Sequence, residues 1–179
     1  MEQAEVINRS RPSAGGTPLS ALAKAAREKL HYRAVFEGTF QRFDGSGQLI
    51  ETLPSRIKVD FDPRKDEPYT QVNRYQKPDG TCEEVVSTGE WSDGMLHFRN
   101  HKVSGVSSDL NMKQDPYQRS AMLHIDYHDG SNITMYEIIA VSPDGKTRSR
   151  VAQYDREGVV IRRTLIDEVK VEENFSEVA

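Results

Sequence analysis

The sequence has little of what marks the best-known chemistries. It holds one cysteine, Cys82, in 179 residues. No internal disulfide can form, so nothing points to an oxidising compartment, and Cys82 is expected to be a buried or half-buried thiol. No apolar run approaches the ~20 residues that a membrane helix needs. The first residues include Glu2 and Glu5 and lack an apolar stretch, so no secretory signal is expected. Positive charge is not in excess. Lys and Arg number 24 against 28 Asp and Glu, a net charge of −4. That balance argues against a nucleic-acid or acidic-membrane footprint. The expected location is cytoplasmic.

Recognised site motifs are missing too. No Cys/His spacing suits zinc, no Gly-rich loop precedes a helix, and no Gly-x-Ser-x-Gly elbow exists. Neither a cofactor nor a metal is expected. His124, Asp126 and His128 do share one face of a strand pattern. Side chains two apart on a strand are ~7 Å apart, wide for adjacent metal ligands. Leu123, Ile125 and Tyr127 take the opposite face, so the histidines are expected in solvent. His97 and His101, near a turn, are read the same way.

Helical periodicity is confined to one short stretch. Residues 1–16 are polar, end in Ser13-Ala14-Gly15-Gly16, and read as a flexible leader. Thr17 and Pro18 then make a helix start. Leu19, Leu22, Ala23, Ala26 and Leu30 recur at helical spacing, which predicts a short amphipathic helix capping a core.

What the sequence has in abundance is hairpin grammar. Turn signals recur at Asp44-Gly45-Ser46-Gly47, Pro78-Asp79-Gly80, Ser92-Asp93-Gly94, Asp129-Gly130-Ser131, Pro143-Asp144-Gly145 and Arg156-Glu157-Gly158. Asp-Gly pairs suit tight hairpins because both residues tolerate positive φ. Between them apolar and polar residues alternate, as in Ile57-Lys58-Val59-Asp60-Phe61, the mark of strands with one buried face. Ten strands are predicted: 33–43, 48–61, 69–77, 81–91, 95–100, 102–107, 119–127, 132–141, 146–155 and 159–170. Twist makes so long a meander curl, and closure removes its edges. The expected fold is all-β, a closed or nearly closed antiparallel meander β-barrel with a short N-terminal helix. A two-sheet sandwich is the rival, but it needs long crossing connections. Only 62–68 and 105–118 are long enough, and the loop Ser107 to Gln118 could lie over a barrel mouth. One domain is expected over 17–170, with a flexible tail at 171–179.

Particular residues carry a family resemblance. The strand Phe36-Glu37-Gly38-Thr39-Phe40-Gln41-Arg42-Phe43 is followed by Asp44-Gly45-Ser46-Gly47-Gln48-Leu49-Ile50-Glu51. Near the end come Arg150-Val151-Ala152-Gln153-Tyr154-Asp155 and Arg163-Thr164-Leu165-Ile166. Over roughly residues 19–168 this resembles an uncharacterised lipocalin-like family of the calycin superfamily, related to the phycobilin chromophore lyases. The calycin Gly-x-Trp signature maps onto Gly38-Thr39-Phe40, with Phe40 in place of Trp. The resemblance implies a barrel with an internal ligand cavity. It also implies that Arg162 or Arg163 of the last strand packs over the Phe40 ring. The paired histidines of one lyase branch are absent after the first strand, which argues against bilin attachment.

Candidate site residues follow from strand faces. Ala34, Phe36, Gly38, Phe40 and Arg42 share the face expected to point inward, with Arg42 near a mouth. Glu137 lies among Ile133, Met135, Ile139 and Val141, where a carboxylate should seek a partner; Arg148 and Arg150 are one hairpin away. Tyr136, Ile138 and Ala140 make the other face apolar as well, so the inward side of this strand is open. Glu137 is the candidate acid, base or ligand anchor. Phe36, Phe40, Arg42, Tyr75, Trp91, Arg150 and Tyr154 are the candidate ligand-binding residues. The expected function is binding of a small apolar or conjugated molecule in the barrel. The alternatives are a cyclase, isomerase or lyase-like enzyme in the same cavity and a purely structural partner protein. A homodimer is compatible with the sequence.

Overall fold

The structure is a computed structural model, and it describes residues 34–61, 66–77, 79–92, 94–110 and 119–172. Ten strands follow one another: β1 (Ala34–Asp44), β2 (Leu49–Phe61), β3 (Tyr69–Gln76), β4 (Cys82–Ser92), β5 (Met95–Arg99), β6 (Val103–Asp109), β7 (Ser120–Tyr127), β8 (Ile133–Val141), β9 (Thr147–Arg156) and β10 (Val159–Glu172). Each pairs antiparallel with the next, and β1 also pairs with β10, so the meander closes into a barrel. β10 runs two residues past its expected end, and β6 reaches Asp109. The expected leader, helix, tip of the 107–118 loop and most of the tail lie outside the described residues. No helix among the described residues is long and apolar enough to cross a membrane.

The hairpins form for reasons the sequence supplies. Asp44, Asp79, Asp129 and Asp144 each accept a backbone N–H two residues on, from Ser46, Thr81, Ser131 and Lys146 at 2.9, 2.9, 2.9 and 3.1 Å. These side chains mimic a backbone turn. The β9–β10 hairpin has only two residues between its strands. Glu157 and Gly158 both take positive φ, 52° and 80°, as a type I′ turn demands. Pro54 gives no ladder bond, and it sits in the half of β2 that pairs with β1 only; β3 joins from Ser55.

Period-two alternation sorts the faces. One inward row crosses the barrel through Arg42, Thr164, Ala152, Glu137, Leu123 and Ser107, on β1 and then β10 back to β6. The core has two apolar clusters. One joins Ile57, Val59, Tyr69 and Leu96. The other joins Ile125, Met135, Ala152 and Tyr154. Burying a side chain such as Phe36 or Ile57 completely contributes ~1.5–3 kcal/mol each. The outer face also carries an apolar row, Met122, Ile138, Val151 and Leu165, in register across β7–β10 and left exposed.

Gly38 answers a packing need. A Cβ there would lie 1.9 Å from the Asp167 carbonyl oxygen, so only glycine lets β1 and β10 approach as they do. Cys82 corrects an expectation. It is exposed, because it opens β4 on the outward face next to the β3–β4 turn.

Candidate functional site

The barrel interior encloses a cavity of about 740 Å³. Its wall is built by alternation: strand residues that point inward supply Leu96 and Phe98 on one side, and Leu123, Ile125, Met135 and Ile139 on the other. Polar and charged side chains, among them Gln71, Asn73, Lys102, Glu137 and Arg150, share this lining, so the wall mixes apolar surface with groups that can orient a small molecule.

Three of these polar groups, Glu137, Arg148 and Arg150, join Glu168 behind the wall in a buried chain of four charges. Arg148 donates from Nε to Glu168 Oε2 at 2.7 Å, and its Nη2 lies 2.6 Å from the same oxygen. Arg150 donates from Nε to Glu137 Oε1 at 2.7 Å, and its Nη1 lies 3.9 Å from Glu168 Oε1. Two positive and two negative groups balance. All four are buried, with Glu137 at 2% exposure. The register explains the meeting: Arg148 and Glu168 are directly opposite on β9 and β10, and Glu137 sits diagonally from Arg150 on β8. Glu137 therefore points inward, while Tyr136 and Ile138 face solvent.

Burial and neighbours shape the electrostatics. Burial acts to lower the Arg150 pKa, but the carboxylates of Glu137 and Glu168 outweigh it and hold the pKa above its ordinary value. Arg148 goes the other way. Burial lowers its pKa, and Glu168 offsets this only in part because Arg150 adds repulsion. Burial raises the phenol pKa of Tyr75, Tyr127 and Tyr154.

Six of the expected site residues line the cavity: Phe40, Arg42, Tyr75, Glu137, Arg150 and Tyr154. Phe40 and Tyr75 meet edge to face, 5.7 Å between centroids. Arg42 pairs with Glu51 across the β1–β2 ladder. Two expected residues lie elsewhere. Phe36 is fully buried beneath the Arg148 guanidinium, 3.9 Å from its ring centroid, and is core rather than cavity wall. Trp91 is 37% exposed near the end of β4 and outside the lining, because neighbouring strands no longer cover that end.

The expected packing of Arg162 or Arg163 over Phe40 is not what the structure shows. Arg162 faces Tyr154 in the β9–β10 ladder and stacks on that ring at 3.9 Å. Arg163 has the opposite parity and donates to the Gly45 carbonyl at 3.0 Å. Arg42 lies over the Phe40 ring instead, 5.6 Å from the centroid. His124 stacks on Tyr136 and His128 bonds Ser104 on the outer face, away from the cavity. Sequence reasoning missed Glu168 and Tyr127 and gave Arg162 a different neighbour. Alternation along β10 puts Arg162, Thr164, Ile166 and Glu168 on one face and could have found two of them.

A profile for the domain of unknown function DUF3598, N-terminal, matches residues 26–173. The chain belongs to the DUF3598 family. Among solved structures it is similar to a DUF3598 protein of unknown function from Nostoc punctiforme, with a TM-score of 0.59 and 12% identity, covering 88% of this chain and 53% of that one. The chain thus spans about half the length of that relative. It is similar as well to the S-type phycobiliprotein lyase CPES from Guillardia theta, with a TM-score of 0.52 and 12% identity, over 89% of this chain and 96% of the lyase. At such identity these likenesses define the fold, a lipocalin-like barrel. No curated protein matches the sequence.

Proposed function

We propose that this barrel binds a small apolar or conjugated molecule in its interior. The observation that carries the reading is the cavity of about 740 Å³, whose walls combine apolar side chains with polar groups, several of them fixed by pairing. That volume falls within the roughly 300–1,000 Å³ common for ligand pockets. The pairing holds the polar groups in place before any ligand arrives, which lowers the cost of binding. The fold shared with an S-type phycobiliprotein lyase agrees with this reading.

The test is native mass spectrometry of the protein purified from its source, joined to titration with the neutral fluorophore N-phenyl-1-naphthylamine. A non-covalent adduct, and saturable fluorescence that Leu123→Trp weakens without unfolding the barrel, are the expected results. Leu123 lines the cavity, so a larger ring there narrows it. An empty protein that also fails to bind the fluorophore would overturn the reading.

One observation favours a second reading, an enzyme such as a cyclase or isomerase. Glu137 lines the cavity, and its Oε2 is buried without a hydrogen-bond partner. A carboxylate oxygen so placed could exchange a proton with a bound molecule. Turnover lost in Glu137→Gln, with ligand affinity kept, would support it. Equal activity in that variant would remove it.

A further inference from the structure

The charges that face the cavity are not all neutralised alike. Among the described residues, six cations line it: Arg42, Lys77, Lys102, Arg148, Arg150 and Arg162. Five have a carboxylate. Arg42 pairs with Glu51, Lys77 and Lys102 with Glu83, Arg148 with Glu168, and Arg150 with Glu137. Arg162 has none among the described residues. Its ladder neighbour on β1 is Asp44, but that carboxylate accepts from Ser46 N and Oγ and from Gln48 N, closing the β1–β2 turn. Asp129, beyond Tyr127, is taken up by its own turn at Ser131.

Arg162 is also held. Its guanidinium lies 3.9 Å above the Tyr154 ring, and Tyr127 packs against Tyr154 at 6.3 Å. Its Nε is buried with no hydrogen-bond partner. A stacked guanidinium keeps its N–H edge in a fixed plane, the geometry that receives a planar or tetrahedral oxyanion at two points. Each of the other five cations has a carboxylate beside it, the two lysines sharing Glu83, so the uncompensated positive field is local to Arg162, where an anion would relieve it.

We propose that Arg162 is the anchor for an acidic group on the cavity's ligand, which is then an apolar molecule ending in a carboxylate, sulfonate or phosphate. This rests on the reading of the barrel as a small-molecule binder and adds the charge of its ligand. The apolar body lies against Leu123, Ile125 and Met135, and the anionic end meets the fork of Arg162, with Tyr127 and Tyr154 beside it.

Two fluorophores that share one ring system test this: 8-anilino-1-naphthalenesulfonate, which is anionic, and N-phenyl-1-naphthylamine, which is neutral. Each is titrated into the full chain, into Arg162→Gln, into Arg162→Met, and into Arg163→Gln as an outward-facing control. The wild type should bind the sulfonate more tightly than the amine. Both Arg162 variants should weaken the sulfonate about tenfold or more and the amine by less than about threefold, while Arg163→Gln changes neither. Arg162→Met keeps an unbranched stem against Tyr154, so it decides the matter if Arg162→Gln does not fold. If the Arg162 variants weaken both probes equally, the residue acts through packing and the anchor is wrong, though the cavity still binds. If neither probe binds the wild type, the small-molecule reading falls, and the anchor with it.

Discussion

The interior holds two arginine-bearing regions that solve the same problem differently. Around Phe36, Arg148 and Arg150 are buried with Glu168 and Glu137, and every charge has an opposite beside it. Beside Tyr154, Arg162 is half-buried, stacked on an aromatic face and without a carboxylate among the described residues. In the first region protein answers protein, and the charges are part of the structure. In the second the protein leaves one charge unanswered inside a cavity. An inward arginine is thus a site candidate only after its partners have been counted.

The largest effect should come from breaking the neutral region. Glu168→Leu strands Arg148, which is buried at 4% exposure. Loss of one partner of a buried pair costs ~3–5 kcal/mol. Urea unfolding should show this, and the double change Arg148→Met with Glu168→Leu should recover most of it. Gly38→Ala comes next. Its methyl would overlap the Asp167 carbonyl, and β1 would have to move away from β10. The expected loss is ~1–3 kcal/mol in the same assay. Glu137→Gln should cost less than Glu168→Leu, ~1.5–3 kcal/mol, since an amide oxygen can still accept from Arg150 Nε although the charge that offsets this buried guanidinium is lost.

Alkaline pH probes the aromatic side of the comparison. Tyr75, Tyr127 and Tyr154 have phenol pKa values raised by burial above the ordinary 10. Between the ordinary and the raised values the native state holds more protons than the unfolded one. Stability is therefore full below about pH 10 and falls as pH rises beyond it. Tyrosinate absorbance should appear together with unfolding rather than before it; early titration of these three phenols would contradict their burial. The smallest effect is expected at the other arginine. Arg162→Gln should change stability by less than about 1 kcal/mol, the scale of one stacked cation. A loss as large as that of Glu168→Leu would erase the distinction between the two regions.

Much of this was legible in the sequence, for reasons that differ by element. Strand order and closure were readable because Asp-Gly turns and period-two alternation are local signals, and a closed meander needs no long-range information beyond them. That Glu137 meets an arginine of β9 was readable because one hairpin separates them, but the choice of Arg150 over Arg148 was not. Its inward direction was open, because Tyr136 and Ile138 form part of an apolar outer face that mimics a core face. Glu168 lies 20 residues from Arg148 and becomes its partner only through the β9–β10 register. Phe36 and Phe40 share a strand face, yet one is sealed under Arg148 and the other lines the cavity. Alternation tells inside from outside but not core from cavity. Trp91 fails for a related reason: near a strand end, parity no longer guarantees cover.

The barrel offers an apolar ligand two surfaces in competition, the cavity wall and the exposed outer row of Met122, Ile138, Val151 and Leu165. Methyl-labelled NMR with N-phenyl-1-naphthylamine distinguishes them directly. Interior binding predicts that the methyl signals of Leu123, Ile125, Met135 and Ile139 shift on titration while those of Met122, Ile138, Val151 and Leu165 stay in place. Shifts confined to the outer row would contradict the interior site.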